Sequence, residues 1–152
     1  MRLVVDTNIV IAALIRDSTS RRLLIQSELE LYCPAEMFEE IAEHELEIRS
    51  KAKISRDELE SAFSLVRRLV CQVDKNKYQD RIPLALECID DKDDAPFLAC
   101  ASFLSRSADC GIWTNDAHFL AREQKIQSVL GVRVWRTRKL YEYFFQMNEK
   151  RD

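Results

Sequence analysis

Acidic residues follow two of the apolar stretches that the sequence predicts as β-strands. Asp6 comes directly after residues 3–5, and Asp116 lies just past residues 112–114. In an open α/β sheet, the carboxyl ends of the strands form the edge at which ligands bind. An alternative for Asp6 is that its carboxylate only caps the following helix by accepting backbone N–H hydrogen bonds. The residue type alone leaves both interpretations open.

A second group of acids, four aspartates within residues 90–94, precedes a predicted helix. Asp94 shares the inward face of this helix, because Phe97 and Leu98 follow it at i+3 and i+4. A helix N-terminus stabilises a negative charge by only about 0.3–1 kcal/mol, which offsets part of the mutual repulsion. A divalent cation offsets more of it, and oxygen ligands without histidine or cysteine suit Mg²⁺ or Mn²⁺. The alternative is a solvated, charged helix start, in which Asp91 is either an auxiliary acid or part of the cap.

Composition restricts the class of protein. The 152 residues are 47% hydrophobic and 32% charged, with two glycines and three prolines, which predicts one domain over residues 1–152 with many helices. The longest apolar run, residues 9–15, is too short to cross a membrane. A net charge of −3 argues against non-specific coating of nucleic acid. The five scattered cysteines form no C-x-x-C pair and are typical of buried thiols in a reducing cytoplasm.

Predicted strands and helices alternate along the chain and position these acids. Short segments rich in apolar and β-branched residues predict strands over residues 3–5, 29–33, 70–73, 112–114 and 132–135. Helical patterns fall between them, including a long helix over residues 34–52 and a closing amphipathic helix over residues 139–147. Such alternation predicts the α/β class, with a three-layer α/β/α sandwich around a central parallel sheet.

Four short motifs, taken in order, resemble the PIN-domain ribonucleases, a family that includes the VapC-like toxins of toxin–antitoxin pairs. The motifs are Val5-Asp6-Thr7-Asn8, Glu40 in the third predicted helix, Asp94-Ala95-Pro96-Phe97-Leu98-Ala99 and Thr114-Asn115-Asp116. Each motif is short, and their order and spacing together make the resemblance specific. It extends from residue 3 to about residue 145.

The resemblance implies a PIN-like fold and an acidic site that binds Mg²⁺ or Mn²⁺ and hydrolyses RNA phosphodiester bonds. The metal-binding and catalytic residues would be Asp6, Glu40, Asp94 and Asp116. The residues that orient these acids or contact RNA would be Asn8, Thr114, Asn115 and Asp91. Periodicity does not single out one acid in the glutamate-rich helix, and Glu43 is the alternative to Glu40. The resemblance also implies a homodimer and, for a toxin, an antitoxin protein that blocks the site.

Two other functions fit parts of the pattern. A PIN-like module that binds RNA or protein with little or no catalysis would not need all four acids. A phosphohydrolase or phosphoacceptor domain that uses Asp6 would need a second acid beside it or a lysine at a strand end, whereas Val5 and Thr7 flank it. The only histidines, His44 and His118, suggest no Ser-His or Cys-His nucleophile.

Overall fold

The computed structural model of the protein describes residues 1–16 and 18–146. In this part of the chain, one all-parallel sheet has the strand order β3-β2-β1-β4-β5. Its strands are β1 (Arg2–Val5), β2 (Glu30–Pro34), β3 (Val70–Val73), β4 (Cys110–Trp113) and β5 (Val134–Trp135). The predicted α/β class with a parallel sheet is confirmed.

Helices make every connection between the strands. The first connection, from β1 to β2, contains α1 (Thr7–Ile15) and α2 (Ser18–Leu24). The second, from β2 to β3, contains α3 (Glu36–Glu43), α4 (Glu45–Ala52) and α5 (Arg56–Leu69). The third contains α6 (Lys75–Tyr78), a 3₁₀ turn (Gln79–Arg81), α7 (Ile82–Cys88) and α8 (Ala95–Leu104). The fourth contains α9 (Ala117–Ala121) and α10 (Glu123–Leu130), and after β5 come α11 (Thr137–Tyr141) and a π-helical turn (Glu142–Gln146). None of the described helices has the length and apolarity needed to cross a membrane.

The sheet changes winding direction at β1. The chain passes from β1 outward to β2 and β3, then returns to the other side of β1 for β4 and β5. Because parallel crossovers are right-handed, the two directions place helices on opposite faces of the sheet and produce three layers. Open sheets of this kind bind ligands in the crevice at such a switch point, here beyond the carboxyl ends of β1 and β4.

The core is centred on β1 and α8. Residues 3–5 are fully buried, and α8 buries all of its residues except Phe103 while packing against β1, β2 and β4. All five cysteines are unpaired, as predicted, but Cys71 is exposed whereas the other four are buried. Since β3 is an edge strand, the side chain of Cys71 does not need to enter the core.

Some of the predicted helix boundaries were wrong. The helix expected over residues 34–52 is divided at His44 into α3 and α4, without a glycine or proline to mark the break. Both helices contact α1, and α3 buries Met37 and Ile41 whereas α4 buries Ile48. The closing helix begins earlier than expected and becomes a π-helical turn, and residue 147 of that prediction lies outside the described residues.

Gly111 is required where β4 and β5 approach each other. A Cβ atom at this position would lie 2.9 Å from both the Arg133 carbonyl oxygen and Trp135 Cδ1, and 3.1 Å from Leu3 Cδ2. We therefore expect Gly111→Ala to lower the free energy of unfolding by about 2–3 kcal/mol, as for an overpacked core. Urea denaturation measures this loss.

Gly131 provides the comparison for this prediction. Gly131 ends α10 at φ +67°, and no atom lies within 4 Å of a Cβ built there. Gly131→Ala should cost only about 1 kcal/mol of left-handed backbone strain. Equal losses for the two variants would contradict the steric explanation at Gly111.

Candidate metal-binding and catalytic cleft

A cavity of about 400 Å³ opens at the carboxyl edge of the sheet, beside the switch point. Carboxylates dominate its lining. The lining residues are Asp6, Thr7, Asn8, Glu36, Glu39, Glu40, Glu43, His44, Asp93 and Asp94. The structure therefore brings three of the four predicted acids, Asp6, Glu40 and Asp94, to one cavity. The fourth, Asp116, is not among the lining residues.

Asp6 is positioned by β1 and by a hydrogen bond from β4's carboxyl end. Asp6 is only 6% exposed, and its Oδ2 accepts a 2.7 Å hydrogen bond from Thr114 Oγ1. Asp6 is the N-cap residue of α1, but its carboxylate makes no capping hydrogen bond of normal geometry. Burial raises the pKa of Asp6, and the Asp116 charge adds to the increase, while the Thr114 hydroxyl and the nearby amides of Asn8 and Thr7 oppose it. The Asp6 carboxylate therefore lines the cleft, and the amides at the start of α1 also act on it.

Asp116 is linked to Asp6 through Thr114. The backbone N–H of Asp116 donates to Thr114 Oγ1 at 3.1 Å, so one buried hydroxyl contacts both acids. Asp116 also caps α9, because its Oδ1 accepts from the His118 N–H at 2.8 Å. The Asp116 charge raises the pKa of Asp6 and of Asp94, which places it within electrostatic range of both.

Glu40 and Glu43 have different environments, although both line the cavity. Thr7 Oγ1 donates a 2.7 Å hydrogen bond to Glu40 Oε2, which connects the start of α1 to α3. Burial raises the pKa of Glu40, the Thr7 hydroxyl opposes the increase, and the charges of Asp6, Asp93 and Glu43 add to it. Glu43 is exposed. This geometry favours Glu40 as the helix acid.

Asp94 precedes α8 and is the most strongly perturbed of the four acids. Burial is the largest cause and, with the charges of Asp91, Asp6, Asp116 and Glu40, raises the pKa of Asp94 to about 7. Its carboxylate makes no capping hydrogen bond. Asp91 is exposed, and its Oδ1 accepts the Asp93 N–H at 2.8 Å. The contacts of Asp91 therefore shape the turn that leads into α8.

The two predicted asparagines differ in what they contact. Asn8 is exposed and lines the cavity. Asn115 instead bonds to Thr137, since its Nδ2 donates to Thr137 Oγ1 and its Oδ1 accepts the Thr137 N–H, both at 2.9 Å. Sequence reasoning missed Thr7 and Thr137 as supporting residues. The position of Thr7 between Asp6 and Asn8 could have indicated that it belongs to the site, whereas no sequence feature near Thr137 indicates its role.

The donor set fits a divalent cation in its chemistry. Burial and neighbouring negative charges raise the pKa of Asp6, Glu40 and Asp94. Among the described residues, neither these three acids nor Asp116 takes part in an ion pair. Hard carboxylate oxygens are the ligands that Mg²⁺ and Mn²⁺ prefer. However, no three acids, histidines or cysteines of the described chain are already grouped closely enough to hold a metal ion. The charges of these acids act on one another, but their side chains are not grouped as a formed metal site.

The histidines do not form a nucleophile pair in the described contacts. His44 is exposed between α3 and α4, with its Nδ1 3.4 Å from Glu47. His118 Nδ1 lies 3.0 Å from Arg122 Nη1, and Arg122 also bonds to Asp90 at 3.0 Å. Hydrolysis by a serine or cysteine therefore has no structural support in this region.

Comparison with known proteins identifies the family. No curated protein matches the chain. A family model described as a PIN domain matches residues 4–144, a range that includes the end of β1, the whole of β2 to β5 and all four predicted acids. PIN domains are in general nucleases, and they usually use divalent metal ions. The chain belongs to the PIN-domain family.

Proposed function

We propose that the protein is a Mg²⁺- or Mn²⁺-dependent endoribonuclease whose metal is held by Asp6, Glu40, Asp94 and Asp116. The observation that carries the proposal is the set of carboxylates beside the β1–β4 switch point, whose burial and charges raise the pKa of Asp6, Glu40 and Asp94. Among the described residues, none of these three acids takes part in an ion pair. So much uncompensated negative charge favours a divalent cation over a solvated surface. Family membership supports the nuclease class.

The residues of the cleft have distinct roles in this proposal. A bound divalent ion supplies activated water and stabilises the leaving oxyanion during phosphodiester hydrolysis. Thr114 and Thr7 each hold one oxygen of an acid, Asp6 and Glu40 respectively, which restrains the carboxylates. Asn8, exposed at the cavity, is placed to contact the RNA.

A binding module with weak or no catalysis is the second candidate. It is favoured by the lack of a finished metal cluster in the described residues. An RNA-cleavage assay separates the two functions. Purified protein is incubated with mixed-sequence single-stranded RNA in Mn²⁺ or in EDTA, and Mn²⁺ binding is measured by calorimetry. We expect cutting in Mn²⁺ only. No cutting and no Mn²⁺ binding would favour the module.

We further propose a cytoplasmic homodimer and, if the protein is a toxin, a neighbouring gene that encodes its antitoxin. Exposed apolar surface supports a protein partner, since a groove of about 420 Å³ between α1, α2 and α5 contains Leu65, which is 52% exposed. Light scattering should give about twice the 17.8 kDa chain mass for the dimer. A monomer at all concentrations would contradict it.

Glu40 and Glu43 should respond in opposite directions to neutralisation. Glu40→Gln should lower cleavage by about 10²-fold, because it removes a charged ligand that Thr7 positions. Glu43→Gln keeps that ligand and removes one exposed charge that repels the RNA backbone, so KM should fall about 2–5-fold at low salt. Steady-state kinetics at two salt concentrations measures both effects. Loss of activity in Glu43→Gln alone would reverse the assignment.

A further inference from the structure

Thr137 is a node of hydrogen bonds at the carboxyl end of β5. It is the first residue of α11 and is 8% exposed. Its Oγ1 accepts from Trp113 Nε1 and from Asn115 Nδ2, each at 2.9 Å. Its backbone N–H donates to Asn115 Oδ1 at 2.9 Å. A single threonine therefore joins the buried indole of β4, the turn after β4 and the start of α11.

The contacts of Asn115 specify what this node does. Both polar atoms of the Asn115 side chain bond to Thr137, 22 residues away in sequence. This reciprocal pair joins the turn between β4 and α9 to the start of α11, just after β5. The Thr114 N–H donates to the Trp135 carbonyl at 3.0 Å and extends the attachment along β5. Asn115 is thus a structural residue of the turn and not a free group for RNA.

The fastened turn carries two groups of the acidic site. Thr114 Oγ1 donates to Asp6, and the Asp116 N–H donates to the same oxygen. Asn115 lies between these two residues, so its backbone direction sets the positions of both. The Asp116 charge raises the pKa of both Asp6 and Asp94, so the position of this turn affects the electrostatics of all three acids.

We propose that Thr137 is a positioning residue of the acidic site, acting through Asn115 on the turn that carries Thr114 and Asp116 and anchored to the core by Trp113. This inference rests on the proposed metal-dependent nuclease function. Groups that orient metal ligands from outside the coordination sphere typically change metal affinity 10–100-fold when they are removed. The described hydrogen bonds of the Thr137 hydroxyl and N–H are to Trp113 and Asn115 and not to an acid, so we expect its loss to change metal affinity more than RNA binding.

Thr137→Val and Thr137→Ser form the matched pair that tests the proposal. Valine keeps the shape but removes the acceptor of Trp113 and Asn115, whereas serine keeps the hydroxyl. In EDTA, hydrogen exchange measured by NMR should show faster exchange of the Trp113 indole N–H and the Asp116 amide in Thr137→Val only. In cleavage assays, the Mn²⁺ concentration for half-maximal rate should rise about 10–100-fold in Thr137→Val, with little change in KM for RNA.

Asn115→Ala provides a second test that does not leave the buried indole without a partner. The substitution removes both hydrogen bonds between Asn115 and Thr137 by truncating the exposed partner. It should therefore raise the Mn²⁺ concentration for half-maximal cleavage, while the melting temperature stays close to that of the wild type. Unchanged exchange at Asp116 in Thr137→Val, or unchanged Mn²⁺ half-saturation in both variants, would overturn the positioning role alone. Wild-type protein that neither cuts RNA nor binds Mn²⁺ would overturn the proposed function and the positioning role with it.

Discussion

Asp6→Asn should lower the rate of RNA cleavage by about 10²-fold or more and should abolish Mn²⁺ binding at micromolar concentrations. The reason is the position of Asp6, which is 6% exposed, stands at the switch point and interacts electrostatically with Asp116 and Asp94. Asparagine has the same shape and keeps an acceptor for the Thr114 hydroxyl, so the fold should persist. Loss of one group that stabilises charge in the transition state typically has an effect of this size.

The stability of the Asp6→Asn variant distinguishes a site effect from unfolding. Burial raises the pKa of Asp6, which means that ionised Asp6 is held at a cost in the folded protein without metal. The variant should therefore melt in EDTA at or above the wild-type temperature. Asp109→Asn, the same chemical change at an exposed position, should leave cleavage unchanged. Cleavage that survives Asp6→Asn would point to a contaminating nuclease and remove Asp6 from the site.

Local patterns were sufficient to predict the framework of the fold. Buried parallel strands are continuous apolar runs, so residues 3–5 could be recognised from residue type alone. The β-branched valines of residues 70–73 were sufficient to predict the edge strand β3, although its two central residues are exposed. The division of α3 from α4 at His44 could not be predicted, because no glycine or proline marks the break. Both helices contact α1 and bury their own apolar residues, which gives the sequence the appearance of one long helix.

The candidate site was less accessible to sequence reasoning than the fold. The position of Asp6 follows from its place directly after β1, and that inference needed no contact information. Preference for Glu40 over Glu43 depends on the hydrogen bond from Thr7, which joins residues 33 apart. The Asn115–Thr137 pair likewise joins two turns that meet only because β4 and β5 are neighbours. Such long-range contacts leave no periodic signal in one sequence.

The metal-free protein should become less stable as the pH rises from about 4 to about 7. Burial and neighbouring charges raise the pKa of folded Asp94 to about 7, whereas its ordinary value is 3.8. Between these two pH values the folded state binds more protons than the unfolded state, so the free energy of unfolding falls with increasing pH. Because Asp94 is partly exposed and screened by water, we expect its share of the loss to be about 1–3 kcal/mol.

Asp94→Asn isolates this contribution, because asparagine resembles the protonated acid and does not titrate. Urea denaturation in EDTA at several pH values gives the difference in unfolding free energy between variant and wild type. The difference should be small near pH 4 and should reach about 1–3 kcal/mol in favour of the variant above pH 7. Saturating Mg²⁺ should stabilise the wild type above pH 7 and not the variant, since only the wild type has the carboxylate that an ion would neutralise. A difference that does not change with pH would show that the pKa of Asp94 is not raised in the folded protein. The main evidence that the cleft binds a cation would then be lost.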